Sequence, residues 1–104
     1  MARILVVDDE PDMRMALGNV LTRAGHAVAE AGDGQAALEH LAREGADVML
    51  LDMRLPGMDG PQILRALRER DKKTPVIMVT GYGSVESAVE VMRLGASHYL
   101  VAEA

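Results

Sequence analysis

The sequence predicts an α/β domain in which helices alternate with the strands of a parallel sheet. Short apolar runs of strand length alternate with segments of helical spacing along the whole chain, which is typical of βα units. Residues 4–7 and 48–51 are apolar without interruption, as expected of strands that are covered on both faces. A length of 104 residues fits one small domain.

Five strands are expected in chain order, at residues 4–7, 27–31, 48–51, 76–79 and 99–101. The second run is the least apolar, which favours a position near an edge of the sheet. Four helices are expected between the strands. Pro11 suits the first turn of the first helix, and Gly25 suits its C-terminal cap. The other helices are bounded by turn and cap residues, namely Gly45, Pro61, Ser84 and Gly95.

The composition excludes several classes of protein and site. Because the chain has no cysteine, disulfides and Cys-based metal sites are impossible, and cysteine usage does not indicate a redox compartment. No pattern suggests secretion, so the cytoplasm is the expected location. The runs at 4–7 and 48–51 are 4 residues long, whereas a membrane span needs roughly 20. A net charge of -5 without grouped Lys and Arg argues against direct nucleic-acid contact. With two Tyr as the only aromatic residues, the 8 Met are expected to help fill the core.

Polar residues follow three of the predicted strands at their C-terminal ends. Asp8 and Asp9 follow the first strand, Asp52 the third and Thr80 the fourth. In an open parallel sheet this edge is where ligands bind. Three carboxylates brought together there would repel one another, so a shared proton or a bound cation is expected. Oxygen ligands of this kind favour Mg²⁺.

Asp52 follows a buried type of strand, which would hold its backbone rigidly beside the other acids. A carboxylate fixed next to Mg²⁺ can act as a nucleophile towards a phosphoryl group and form an aspartyl phosphate. Thr80 could then donate its hydroxyl to the phosphoryl oxygens. The plainer alternatives are that the acids are solvated loop residues and that Thr80 caps local backbone.

Four segments carry a resemblance to a known family. LVVDDEP, LLDMRLPGMDG, VTGYGS and LGASHYL occur in this order, and together they resemble the receiver domain of two-component response regulators. The stretch from residue 80 to residue 100 is most similar to receivers of nitrogen-regulation-type transcriptional activators. The resemblance implies a flavodoxin-like (CheY-like), doubly wound, five-stranded sheet of order 2-1-3-4-5.

The resemblance also implies roles for individual residues. Asp52 would be the phosphoacceptor, with Mg²⁺ held by Asp8, Asp9, Asp52 and the backbone carbonyl of Arg54. Thr80 would be the hydroxyl residue of the switch, and Tyr99 the aromatic residue that moves with it. The implied partners are a sensor histidine kinase or phosphotransfer protein and small phosphodonors. Such a domain assists its own phosphorylation and has no substrate that it turns over.

The sequence departs from the family in two places. After the last strand the family has Lys followed by Pro, where this sequence has Ala102 and Glu103. The chain also ends where a fifth helix would begin, so residues 1–104 are expected to form a truncated or atypical receiver domain without that helix. One face of the sheet would then lose half of its cover, which favours a homodimer.

Two other classes of function remain open at this point. The lack of the Lys favours a phosphorylation-independent interaction module that keeps the fold and the acids. An enzyme or cofactor carrier on the same fold is disfavoured, because a phosphatase of the haloacid-dehalogenase type would want an acid where Arg54 stands. A flavin carrier would want a loop rich in hydroxyl groups and glycine where Asp8, Asp9 and Glu10 stand.

Overall fold

The computed structural model describes residues 1–81 and 83–101 as five strands and four helices in strict alternation. The strands are β1 (Arg3–Val7), β2 (Ala27–Ala31), β3 (Val48–Asp52), β4 (Val76–Thr80) and β5 (His98–Val101). The helices are α1 (Pro11–Arg23), α2 (Gly34–Arg43), α3 (Gly60–Arg70) and α4 (Val85–Arg93). None of these helices has the length and apolar character that a membrane-spanning helix needs.

All strand pairs are parallel, and the order in the sheet is β2-β1-β3-β4-β5. The predicted fold class and strand order are therefore confirmed, as is the edge position of β2. Parallel crossovers are right-handed. The step from β1 to β2 runs in the opposite direction to the later steps, so α1 lies on one face of the sheet and the other three helices lie on the opposite face.

The core lies between the sheet and helices α2, α3 and α4. Its fully buried side chains include Leu5, Met49, Leu51, Ile63, Leu64, Met78 and Val91. The expectation that the methionines fill the core is wrong for several of them. Met13, Met15 and Met92 are 43%, 60% and 48% exposed, and Met13 faces an open groove between α1 and the sheet.

Helix ends follow the cap residues that the sequence contains. Pro11 begins α1, and the predicted turn at Gly25 has a φ of 95°, which glycine adopts without a steric penalty. Asp59 caps α3 and Ser84 caps α4, each in a capping box with the residue three positions later. These caps fix the points at which the chain turns from the C-terminal edge of the sheet into a helix.

Candidate functional site

The C-terminal ends of β1 and β3 bring three carboxylates together. Asp8 and Asp9 directly follow β1, and Asp52 is the last residue of the neighbouring strand β3. One carboxylate oxygen from each of the three lies within 4.8 Å of the others. The predicted cluster is therefore present, at the place where the chain crosses from one side of β1 to the other.

Burial and charge act together on Asp52. Its loss of contact with water raises the pKa of the carboxyl group above the ordinary value, and the negative charges of Asp8 and Asp9 raise it further. The Arg54 amide, which donates to Asp52 Oδ1 at 3.1 Å, opposes this rise. The carboxylate is thus fixed in direction and is destabilised by its neighbours, a state that a bound cation would relieve.

Two hydrogen bonds hold Asp8 in place at the end of β1. The Asp8 carboxylate accepts from the Glu10 amide at 2.9 Å, and the Asp8 carbonyl accepts from Arg14 Nη1 at 2.6 Å. Arg14 also pairs with Glu30 on β2 at 3.3 Å. Arg14 was not predicted from the sequence, although its position in the first turns of α1, opposite an acidic residue of an edge strand, was a usable signal.

Gly60 is a second residue that sequence reasoning missed. A Cβ atom at this position would lie 2.6 Å from the Asp52 carbonyl oxygen and 2.9 Å from the Met53 Cα. Because both neighbours are backbone atoms, only glycine lets the start of α3 approach the end of β3 so closely. The Gly60 amide uses this approach to donate to the Met53 carbonyl at 3.0 Å.

Thr80 and Tyr99 lie on the strands beyond Asp52. Thr80 ends β4, is 5% exposed and is in register with Val101 on β5. Tyr99 packs against the core beneath α4, and its hydroxyl lies 2.7 Å from Ser87 Oγ in the first turn of α4. The predicted switch residues therefore occupy adjacent strands on the same side of Asp52, while Ala102 lies outside the described residues.

A groove opens beside the acids on the α1 side of the sheet. It has a volume of about 260 Å³ and is lined by Asp8, Asp52 and Thr80 together with apolar side chains that include Met13, Leu17, Leu50 and Val79. The acidic end of the groove is the edge that ligands of parallel α/β sheets use. Its apolar part is the sheet surface next to α1.

An oxygen-only cluster at the C-terminal edge of a doubly wound parallel sheet defines a class of domains suited to binding a hard cation at this edge. Within this class the chain belongs to the response regulator receiver domain family, whose pattern matches residues 4–103. Receiver domains of this family bind Mg²⁺ at an acidic pocket and are phosphorylated by histidine kinases or phosphotransfer proteins. The family resemblance is thereby confirmed.

Similar proteins include full-length regulators and isolated receivers. The chain is 43% identical over 100 residues to the response regulator protein FleR of Pseudomonas aeruginosa, covering 96% of this chain and 21% of FleR. It is 40% identical to the C4-dicarboxylate transport transcriptional regulatory protein DctD of the same organism, covering 94% and 21%. The chain thus spans about a fifth of the length of these two relatives.

Among solved structures, the response regulator protein TrrA of Thermotoga maritima, in complex with Mg²⁺ and BeF, superposes with a TM-score of 0.89. The two share 32% identity, and the match covers 99% of this chain and 88% of TrrA. This similarity supports the same domain fold. The comparisons give no support to the phosphorylation-independent interaction module.

Proposed function

We propose that Asp52 is the phosphoacceptor of this receiver domain and that Asp8, Asp9, Asp52 and the Arg54 carbonyl hold Mg²⁺. The observation that carries the proposal is the meeting of three carboxylate oxygens within 4.8 Å at the end of the sheet. This donor set fits a hard divalent cation that retains part of its water. When bound, Mg²⁺ would offset the negative charge of the acids and of an incoming phosphoryl group.

Several residues of the chain would have separate roles in phosphoryl transfer. A carboxylate oxygen of Asp52 forms a bond to phosphorus while the bond from phosphorus to the donor breaks, and that bonding pair leaves with the donor. The Arg54 amide holds the carboxylate in one orientation. Thr80, one strand further along, would donate its hydroxyl to a phosphoryl oxygen, and Tyr99 would follow that movement.

The proposed partners are a sensor histidine kinase or phosphotransfer protein, with small phosphodonors as substitutes, in a cytoplasmic setting. A transcriptional output is proposed from the similarity to DctD, whose name describes a transcriptional regulator. A homodimer is proposed from the apolar side chains that stay exposed beside α1 and on β5. No direct nucleic-acid contact is proposed for this acidic domain.

Intact-mass spectrometry after incubation with acetyl phosphate and Mg²⁺ tests the function. One added phosphoryl group is expected on the natural chain and none on Asp52→Asn. The chain lacks a Lys at position 102, so we expect Ala102→Lys to raise the phosphorylation rate or the lifetime of the product, by analogy with restored transition-state donors. An unmodified mass for the natural chain at saturating donor would contradict the proposal.

A further inference from the structure

The N-terminal end of α4 is held by a cluster of three hydroxyl groups. Ser84 Oγ accepts from the Ser87 amide at 3.1 Å and lies 3.0 Å from Ser87 Oγ. Ser87 Oγ lies 3.2 Å from the Ser84 carbonyl oxygen and 2.7 Å from the hydroxyl of Tyr99 on β5. The Ser84 amide lies 3.4 Å from the same tyrosine oxygen. A side chain of the sheet therefore takes part in capping the helix.

The number of protons in this cluster restricts how it is bonded. Each hydroxyl has one proton to donate and two lone pairs that accept. The Ser84 carbonyl can only accept, so its contact with Ser87 Oγ requires the Ser87 proton. The contact of 2.7 Å between Ser87 and Tyr99 can then be donated by the tyrosine, or the Ser87 proton can be shared between the Ser84 carbonyl and the tyrosine oxygen. The Tyr99 hydroxyl and the capping box thus depend on each other.

Gly83 allows the loop before α4 to lie against the tyrosine. A Cβ atom at Gly83 would lie 3.3 Å from the Tyr99 hydroxyl oxygen and 2.4 Å from Val101 Cγ2. A larger residue at this position would push one of these side chains away. The close approach places the Tyr99 hydroxyl within reach of both serines.

The opposite end of α4 is held by different chemistry. Arg68 of α3 donates from Nε and Nη2 to the Gly95 carbonyl, at 3.1 and 2.9 Å, just after α4 ends. The same guanidinium donates to the carbonyl oxygens of Asp71 and Thr74. This end is therefore fixed to α3 and to the loop before β4, whereas the N-terminal end depends on hydroxyl groups that can exchange partners.

We propose that Ser87 is a positioning residue that ties the Tyr99 hydroxyl to the first turn of α4, so that the position of the tyrosine and the order of that turn change together. The link to signalling rests on the function proposed above, in which Tyr99 follows Thr80. When Tyr99 leaves Ser87, the first turn of α4 loses a capping partner, while the end at Gly95 stays anchored. The change in order is then confined to the N-terminal end of α4.

Amide hydrogen exchange on the unphosphorylated 104-residue chain tests the tie directly. Ser87→Ala and Tyr99→Phe should each lower the protection of the Ser87 and Ala88 amides, by about two- to tenfold for one hydrogen bond. Adding Tyr99→Phe to Ser87→Ala should cause a smaller loss at these two amides than Tyr99→Phe causes alone, because the shared bond is already gone and only the contact of the Ser84 amide with the tyrosine oxygen remains. Amides 94–96 should keep the protection of the natural chain in both single variants.

Ser97→Ala is the matched control, since the Ser97 hydroxyl accepts from the Val76 amide at the other end of the sheet. This substitution should leave the amide protection in the first turn of α4 unchanged. If Tyr99→Phe lowers the protection of the amides of residues 87 and 88 equally in the natural chain and in Ser87→Ala, the proposed tie is wrong. It is also wrong if Tyr99→Phe leaves this protection unchanged in the natural chain. Either result overturns the inference whether or not Asp52 accepts a phosphoryl group.

A second measurement follows the tie during activation. Mg²⁺ and beryllofluoride, the ligand recorded for TrrA, should raise exchange in the first turn of α4 of the natural chain, and this response should be smaller in Ser87→Ala. An equal response in both chains would overturn the coupling. Intact mass after acetyl phosphate reports phosphorylation separately, so a failure of the proposed function is distinguished from a failure of the tie.

Discussion

When no cation is bound, the ionised Asp52 carboxylate destabilises the folded state. Since the folded protein raises the pKa of this carboxyl group, ionisation is harder in the folded state than in the unfolded state, and the charged form at neutral pH is destabilising. Asp52→Asn removes that charge. We therefore expect a melting temperature a few degrees above that of the natural chain in chelator-treated buffer.

The same melting measurement in Mg²⁺ should place the natural chain above Asp52→Asn in melting temperature. A cation that binds only the folded state stabilises it by mass action, so millimolar Mg²⁺ should raise the melting temperature of the natural chain. Asp9→Asn should lose this response because it removes one of the three carboxylates. Identical melts of the natural chain with and without saturating Mg²⁺ would contradict a metal site here.

Asp71 behaves in the opposite way from Asp52. Hydrogen bonds from the Thr74 hydroxyl and from the Lys73 amide lower the pKa of the Asp71 carboxyl group. A carboxyl group with a lowered pKa stabilises the fold above its unfolded pKa, and this stability is lost as the pH falls through the folded value. The natural chain should thus lose more stability than Asp71→Asn between about pH 5 and pH 3. Urea midpoints across this range would show it, and parallel curves would contradict it.

At the scale of elements, Arg68 is the main polar connection between α3 and the end of α4. Its guanidinium serves three backbone carbonyls, and Gly95, with a φ of 105°, leaves room for it. Arg68→Ala should lower the free energy of unfolding by about 1–3 kcal/mol, because these carbonyls lose their donor. Arg65→Ala, an exposed position of the same helix, should change it by less than about 0.5 kcal/mol. Equal effects of the two substitutions in urea titrations would contradict this role.

The elements themselves could be predicted well from the sequence, and the contacts between them could not. Apolar runs and caps located all five strands to within one residue at each end, since Arg3, Asp52, Thr80 and His98 only extend strands that were already expected. The acids at strand ends located the site. Arg14, Gly60 and Ser87 were not predicted because their roles depend on how separate elements pack against one another, and the pattern of residue types along a single sequence does not give these contacts.

At the scale of the whole molecule, the two faces of the sheet are covered unequally. On the α1 side, Leu100 is 53% exposed and lies beside Val79 in register, and Val20 of α1 is 64% exposed. On the other side, Met49, Leu51 and Met78 are completely buried. Exposed apolar surface of this kind usually marks a site of association.

We therefore expect the 104-residue chain to self-associate through the α1 face. Sedimentation velocity over a concentration series should show dimers, and Leu100→Lys should weaken them. Val85→Lys is the matched control, because Val85 is 81% exposed on α4 at the opposite face. A monomer at every concentration, without binding of a hydrophobic dye, would contradict the expectation.

The strand order also determines how the sheet can assemble while the chain is being synthesised. Once β3 has joined β1, each later strand adds to the edge formed by the strand before it, and the ribosome releases these strands in the same order. Asp8 and Asp9 follow β1, and Asp52 ends β3, so the three acids all precede β4 and β5 in the chain. In the order of synthesis, the residues that hold the charge therefore precede Thr80 and Tyr99, the residues proposed to report its arrival.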